Sequence, residues 1–162
     1  MERVLFCALL LITTTISGCA RNGHSGSDAP EQTRINGLLR ALGKGGIGKV
    51  EILQIPASVL TRARITPDML ERQYFTKVEI RNITQATYYN DLLDAFKTLS
   101  VQPATDTSDL RWGVIFYSRN GGRAGAVYFN KQGLSGSVDN LPVSFRGDFF
   151  SWLEKTFSKC LQ

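Results

Sequence analysis

Histidine occurs once in these 162 residues, as His24, and that scarcity excludes more than any motif admits. A Ser-His-Asp triad, a Cys-His pair and a histidine-bound zinc each need an imidazole beside the reacting group. The only one here sits in a small, polar stretch remote from the apolar segments. Other catalytic signatures are missing too. No Ser-x-x-Lys occurs, and Ser135 between Gly133 and Gly136 lacks the spacing of a nucleophile elbow. No apolar run approaches the roughly 20 residues that span a bilayer. What remains is ordinary for a globular chain, with 43% hydrophobic and 20% charged residues and a net charge of +5.

The most informative segment is Leu10-Leu-Ile-Thr-Thr-Thr-Ile-Ser-Gly-Cys19. Arg3 precedes an apolar stretch from Val4 to Ile12, and small residues follow, which is the outline of a secretory signal. Ile16, Ser17 and Gly18 immediately before Cys19 resemble the lipobox of bacterial lipoproteins. That resemblance implies cleavage before Cys19 and transfer of diacylglycerol to its thiol. With Ala20 rather than Asp next, it also implies sorting to the outer membrane, with the body facing the periplasm. One acyl chain binds marginally, at about 0.8 kcal/mol per buried methylene, whereas two or three hold effectively permanently. An ordinary cleaved signal is the competing reading.

Residues 1–18 therefore read as the signal and 19–33 as a lipidated cysteine with a polar tether reaching roughly 20 Å. Residues 34–162 read as one domain, large enough for its own core. Loss of Cys7 with the signal and acylation of Cys19 leave Cys160 alone, on an apolar helical stripe where a buried cysteine is at home; an intermolecular disulfide is the alternative. Arg34, Arg40, Lys44 and Lys49 follow the tether without an intervening acid. They read either as a solvated face or as contacts to anionic headgroups, worth about 1 kcal/mol each.

Periodicity supplies the elements. Ile35, Leu38, Leu39 and Leu42 make a helical face that stops at Gly43. Val50–Ile55 and Tyr74–Arg81 read as strands, and Pro67–Arg72 as a short helix after Thr66. Tyr88, Tyr89, Leu92, Leu93, Phe96 and Leu99 form the stripe of an amphipathic helix, and 100–109 reads as a loop. Arg111–Ser118 and Arg123–Asn130 are joined by a hairpin containing Asn120-Gly121. Leu134–Val138 and Val143–Phe145 continue a meander, and Phe149, Phe150, Leu153, Phe157, Cys160 and Leu161 define a terminal helix. This order predicts an α+β domain whose amphipathic helices pack on one face of a largely antiparallel sheet.

Gly43-Lys-Gly-Gly-Ile-Gly-Lys49 matches the G-x-x-x-x-G-K of phosphate-binding loops. Val50 replaces the hydroxyl that holds magnesium, and the order is helix then strand instead of strand then helix, so the run reads as a glycine-rich turn. Neither nucleotide nor nucleic acid is expected as a partner of an exported domain, and no metal or cofactor is implied. Asp91 with Asp94, and Asp106 with Asp109, read as solvated surface rather than catalytic pairs. Trp112, Tyr117, Tyr128 and Trp152 suit either the core or an interface. If Arg119, Arg123 and Arg146 ring an exposed part of the sheet, they would meet acidic or anionic groups. The sequence thus points to a non-enzymatic, membrane-anchored envelope protein, acting as an immunity or inhibitor protein or as an assembly accessory. Its partner would be another envelope or exported protein; the alternative is an anionic cell-wall, lipid or small-molecule ligand.

Overall fold

The computed structural model describes residues 29–106 and 109–158; Cys7, Cys19, His24, Cys160 and Leu161, with what was read from them, lie outside these. The first element of the described residues is α1 (Pro30–Gly43). Pro30 needs no N–H at a helix start, and Glu31 in the first turn complements the helix dipole. Pro30–Thr33, expected as the end of the tether, are thus helical. Their turn carries no apolar residue, so periodicity could not reveal it. Ile35, Leu38 and Leu42 are the buried face, and the helix ends where Gly45 turns the chain with φ +66°.

β1 (Ile47–Gln54) is followed by α2 (Pro67–Gln73), whose Thr66 Oγ1 accepts the Met69 N–H at 3.3 Å. β2 (Thr76–Arg81), a 3-10 turn at Ile83–Gln85 and α3 (Tyr89–Lys97) come next. Ser100–Pro103, expected as loop, is instead strand β3, paired with the end of the meander from Ser100↔Arg146 to Pro103↔Val143. Four residues are too few to display an alternation, so only the partner strand defines it. β4 (Leu110–Ser118), β5 (Arg123–Asn130), β6 (Ser135–Val138), β7 (Leu141–Arg146) and α4 (Phe149–Phe157) complete the described chain.

All seven strands of the described residues join one antiparallel sheet in the order β2-β1-β4-β5-β6-β7-β3. The chain is the single α+β domain that its periodicity predicts. The three longer helices share one face of the sheet. Val50, Ile52, Trp112, Val114, Phe116, Val127 and Phe129 point toward them and meet Leu42, Phe96, Phe149 and Leu153 in one buried cluster. Aromatic rings pack edge to face at its centre, Phe96 against Phe149 at 4.9 Å between centroids. Trp112 and Tyr128 are therefore core residues, each burying a large apolar area.

The short α2 lies on the opposite face, where Leu70 closes a second cluster with Leu53, Ile115 and Tyr128. Gly113 makes room, since a Cβ there would stand 3.2 Å from Leu70 Cδ2. Both faces of β4 are covered, which is why its run is almost continuously buried. One half of this second face is left without a helix, and the candidate site lies there.

Candidate functional site

The upper end of the sheet is defined by the β4–β5 hairpin loop, residues 119–122, and by the start of β1. Alternation places Lys49 and Glu51 of β1, Lys77, Glu79 and Arg81 of β2, and Tyr117 of β4 on the face that carries α2. In register, Arg81, Lys49 and Tyr117 make one cross-strand row, and Glu79, Glu51 and Ile115 the next. The hairpin on one side and Asn82–Gln85 on the other wall this surface into an open groove of about 710 Å3.

Glycines fix its shape. Pairing skips from Ile47↔Ser118 to Lys49↔Tyr117, leaving Gly48 as a bulge, the device by which a strand re-aims neighbouring side chains. A Cβ at Gly48 would lie 2.9 Å from the Arg119 Cα, so only glycine lets the hairpin close this tightly. The Arg119 N–H donates to Gly46 O at 3.1 Å and the Asn82 N–H to Gly48 O at 2.9 Å. The end of the glycine-rich stretch that resembles a phosphate loop, Ile47–Lys49, is thus strand and lines the back of the groove.

Glu51 organises the charges. Its residue is only 7% exposed, and it accepts from Lys49 at 2.9 Å, Lys77 at 2.7 Å and the Tyr117 hydroxyl at 3.1 Å. Burial pushes its carboxyl pKa up, but the bonds from Lys77, Lys49 and Tyr117 outweigh that and hold it below the usual carboxylate value. Lys77 is raised in turn by its bond to Glu51. Burial first, and the Glu51 charge second, push the Tyr117 phenol up. Lys49 Nζ also stands 4.0 Å from the centre of the Tyr117 ring, a cation–π contact. Arg81 donates to Glu79 at 2.6 Å. Arg119 has no carboxylate partner among the described residues; its Nη2 would be 3.1 Å from a Cβ at Gly45. Four cations against two carboxylates leave this surface net positive, with Arg119 uncompensated at its rim.

Of the three arginines singled out from the sequence, Arg119 and Arg123 flank the same hairpin at the upper end, Arg123 opposite Tyr117, but their side chains have different surroundings, and Arg146 lies at the other end. Arg119 borders the groove. Arg123 is engaged by Glu71 at 3.0 Å and by the Tyr128 hydroxyl at 2.7 Å, a contact network under α2. Arg146 ends β7 and faces Ser100, at the lower end of the sheet. Sequence proximity to turns grouped them, but successive antiparallel turns alternate between the two ends, which sets Arg146 apart from the other two. The residues that sequence reasoning missed are Glu51, Lys77 and Arg81. Their signal was the alternating charge of Lys77, Glu79 and Arg81 along β2, which shows one polar face but not the strand beside it.

Several of the remaining acids have local roles. Asp94 holds Lys97 at 2.8 Å and Arg64 holds Asp106 at 2.5 Å. Asp109 accepts the Ile65 N–H at 2.9 Å and pairs with the buried Arg111. The basic run after the tether is divided as well, with Arg34 on Asp139 at 2.6 Å and Lys49 in the groove. Of the two sheet edges, β3 is shielded where Gln32 Oε1 accepts the Val101 N–H at 2.9 Å. β2 is open and charged, which discourages edge-to-edge association. Among the described residues no helix is long and apolar enough to cross a membrane. Comparison with protein-family models, with curated proteins and with solved structures finds no match for this chain.

Proposed function

We propose that this chain is a membrane-tethered, non-enzymatic binding protein of the bacterial envelope, anchored by lipid on Cys19, and that it holds its partner in the groove between the β4–β5 hairpin and Asn82–Gln85. The observation that carries the reading is the charge arrangement. Lys49, Lys77 and Arg81 are each tied to Glu51 or Glu79, while Arg119 faces solvent without a counter-charge. A partner bearing carboxylates complements such a surface, and rim charges of this kind set on-rate and orientation. An open groove beside an edge strand suits an acidic segment of another envelope or exported protein.

A small anionic ligand is the second reading, favoured by the volume of about 710 Å3, within the range of small-molecule pockets. Titration with a glutamate-rich peptide and, separately, with pyrophosphate distinguishes the two. The protein-partner reading expects peptide binding that Arg119→Glu weakens about tenfold or more, with pyrophosphate at least tenfold weaker; tight pyrophosphate binding moves the conclusion to the second. Equal binding by the parent and Arg119→Glu with either probe refutes the groove.

A further inference from the structure

We infer that the lower end of the sheet, opposite the groove, is a surface that rests on the anionic lipid leaflet to which the chain is tethered. Large apolar side chains that stay exposed are few among the described residues: Leu60 at 96%, Leu134 at 66%, Phe75 at 65% and Tyr74 at 40%. All four stand at this one end. Leu60 lies in the connection after β1, Tyr74 and Phe75 immediately precede β2, and Leu134 lies in the β5–β6 turn. Antiparallel pairing brings these three connections to the same end.

Cations accompany them. Residues 59–64 and 130–132 line one shallow depression that includes Leu60, Arg62, Arg64 and Lys131, and Arg146 closes β7 at the same end. Asp106 and Asp109 are bound to Arg64 and Arg111, and Asp148 is the acid beside Arg146. Isolated aliphatic and aromatic tips on separate loops, interleaved with Arg and Lys, match the depth profile of a membrane interface. Apolar ends enter the acyl boundary there, and long cations reach the phosphates. A protein interface would need these tips gathered into one packed centre, whereas here Leu60 is almost wholly free of neighbours.

The tether permits this pose. Cys19 and Ala29 are separated by nine residues, which span at most about 35 Å, while the longest strands are about 30 Å. Lipidation keeps the lower end at high local concentration over the leaflet, so weak contacts suffice, each cation adding about fivefold. The groove then points away from the membrane, toward the periplasm.

This inference rests on the tether reading, and its test separates the two. The full processed chain, carrying Leu60→Trp, Leu134→Trp or, at the groove end, Gln85→Trp, is placed in vesicles of phosphatidylethanolamine and phosphatidylglycerol doped with brominated lipid. Quenching is measured against the parent chain. Flotation and the intact mass are scored first: a chain without acyl mass at Cys19 overturns the tether and this inference with it. In floating protein, quenching at 60 and 134 at least twofold above that at 85 is expected, falling to the level at 85 when Arg62 and Lys131 are both changed to Glu. Equal quenching at all three positions overturns the inference while leaving the tether intact. Protection of 60 and 134 from acrylamide without quenching by brominated lipid assigns this end to a protein and overturns it as well.

Discussion

Glu51→Gln removes one charge and little volume, and its consequences for stability and for binding have opposite signs. In the folded protein the Glu51 Oε1 lies 2.9 Å from Lys49 Nζ and 2.7 Å from Lys77 Nζ, so the two ammonium groups stand no more than about 5.6 Å apart. Their repulsion is present in the parent too, where the carboxylate between them offsets it, and the variant leaves it unopposed. Both are roughly one-third exposed, so an effective dielectric between about 20 and 80 applies. Coulomb's law then gives a repulsion of about 1–3 kcal/mol, to which weaker, neutral hydrogen bonds add a few tenths. Urea denaturation of parent and variant should show a lower midpoint at unchanged slope, equivalent to about 1–3 kcal/mol. Changing Lys77 to Gln in the same chain should restore most of the loss. The same substitution makes the groove more positive by one charge, so affinity for an acidic peptide should rise severalfold and fall back as salt screens it. A variant within about 0.3 kcal/mol of the parent, with unchanged peptide affinity, would refute the view of Glu51 as the organiser of this surface.

Because the folded pKa of Glu51 is depressed, its stabilisation is complete above the unfolded carboxylate value and is lost as pH falls through the folded value. The urea midpoint of the parent should therefore drop more than that of Glu51→Gln between pH 6 and pH 3, both set as about-neutral and acid limits for an ordinary carboxylate. Gly48→Ala puts a Cβ 2.9 Å from the Arg119 Cα, and should cost about 1–3 kcal/mol by overpacking while weakening peptide binding through displacement of the hairpin. In Gly136→Ala the new Cβ would stand 1.9 Å from the Tyr128 carbonyl oxygen, a backbone clash that no rotamer relieves. That variant should lose at least about 3 kcal/mol, seen as a fall in Tm without any specific effect on the groove.

Much of the fold was legible because its helices carry clean stripes. Leu92 and Phe96, and Phe149, Phe150, Leu153 and Phe157, predicted the helices and the face each buries, since apolar spacing is a direct record of contact with the sheet. The hairpin with Asn120-Gly121 was equally readable, Gly121 supplying the φ of +85° that the turn needs. Short or polar pieces were not. Ser100–Pro103 became a strand because β7 offered hydrogen bonds along its length, and Pro30–Thr33 became helix with a proline at its start and an acid in its first turn but without an apolar signal. The site was the least legible part. Lys49 and Arg119 are 70 residues apart in the chain, and their approach depends on the bulge at Gly48. Glu51 looked like any residue of a buried strand until register set Glu79 on one side of it and Ile115 on the other.

Partner binding in the groove is tested most directly in living cells by a photo-cross-linking side chain placed at Gln85, on the rim opposite Arg119. A discrete protein adduct in the membrane fraction is expected, lost when Lys49 and Arg119 are both changed to Glu and when Cys19→Ser releases the domain from the membrane. Adducts that persist unchanged in the Lys49→Glu, Arg119→Glu chain, or that form from Leu60 and never from Gln85, would contradict it.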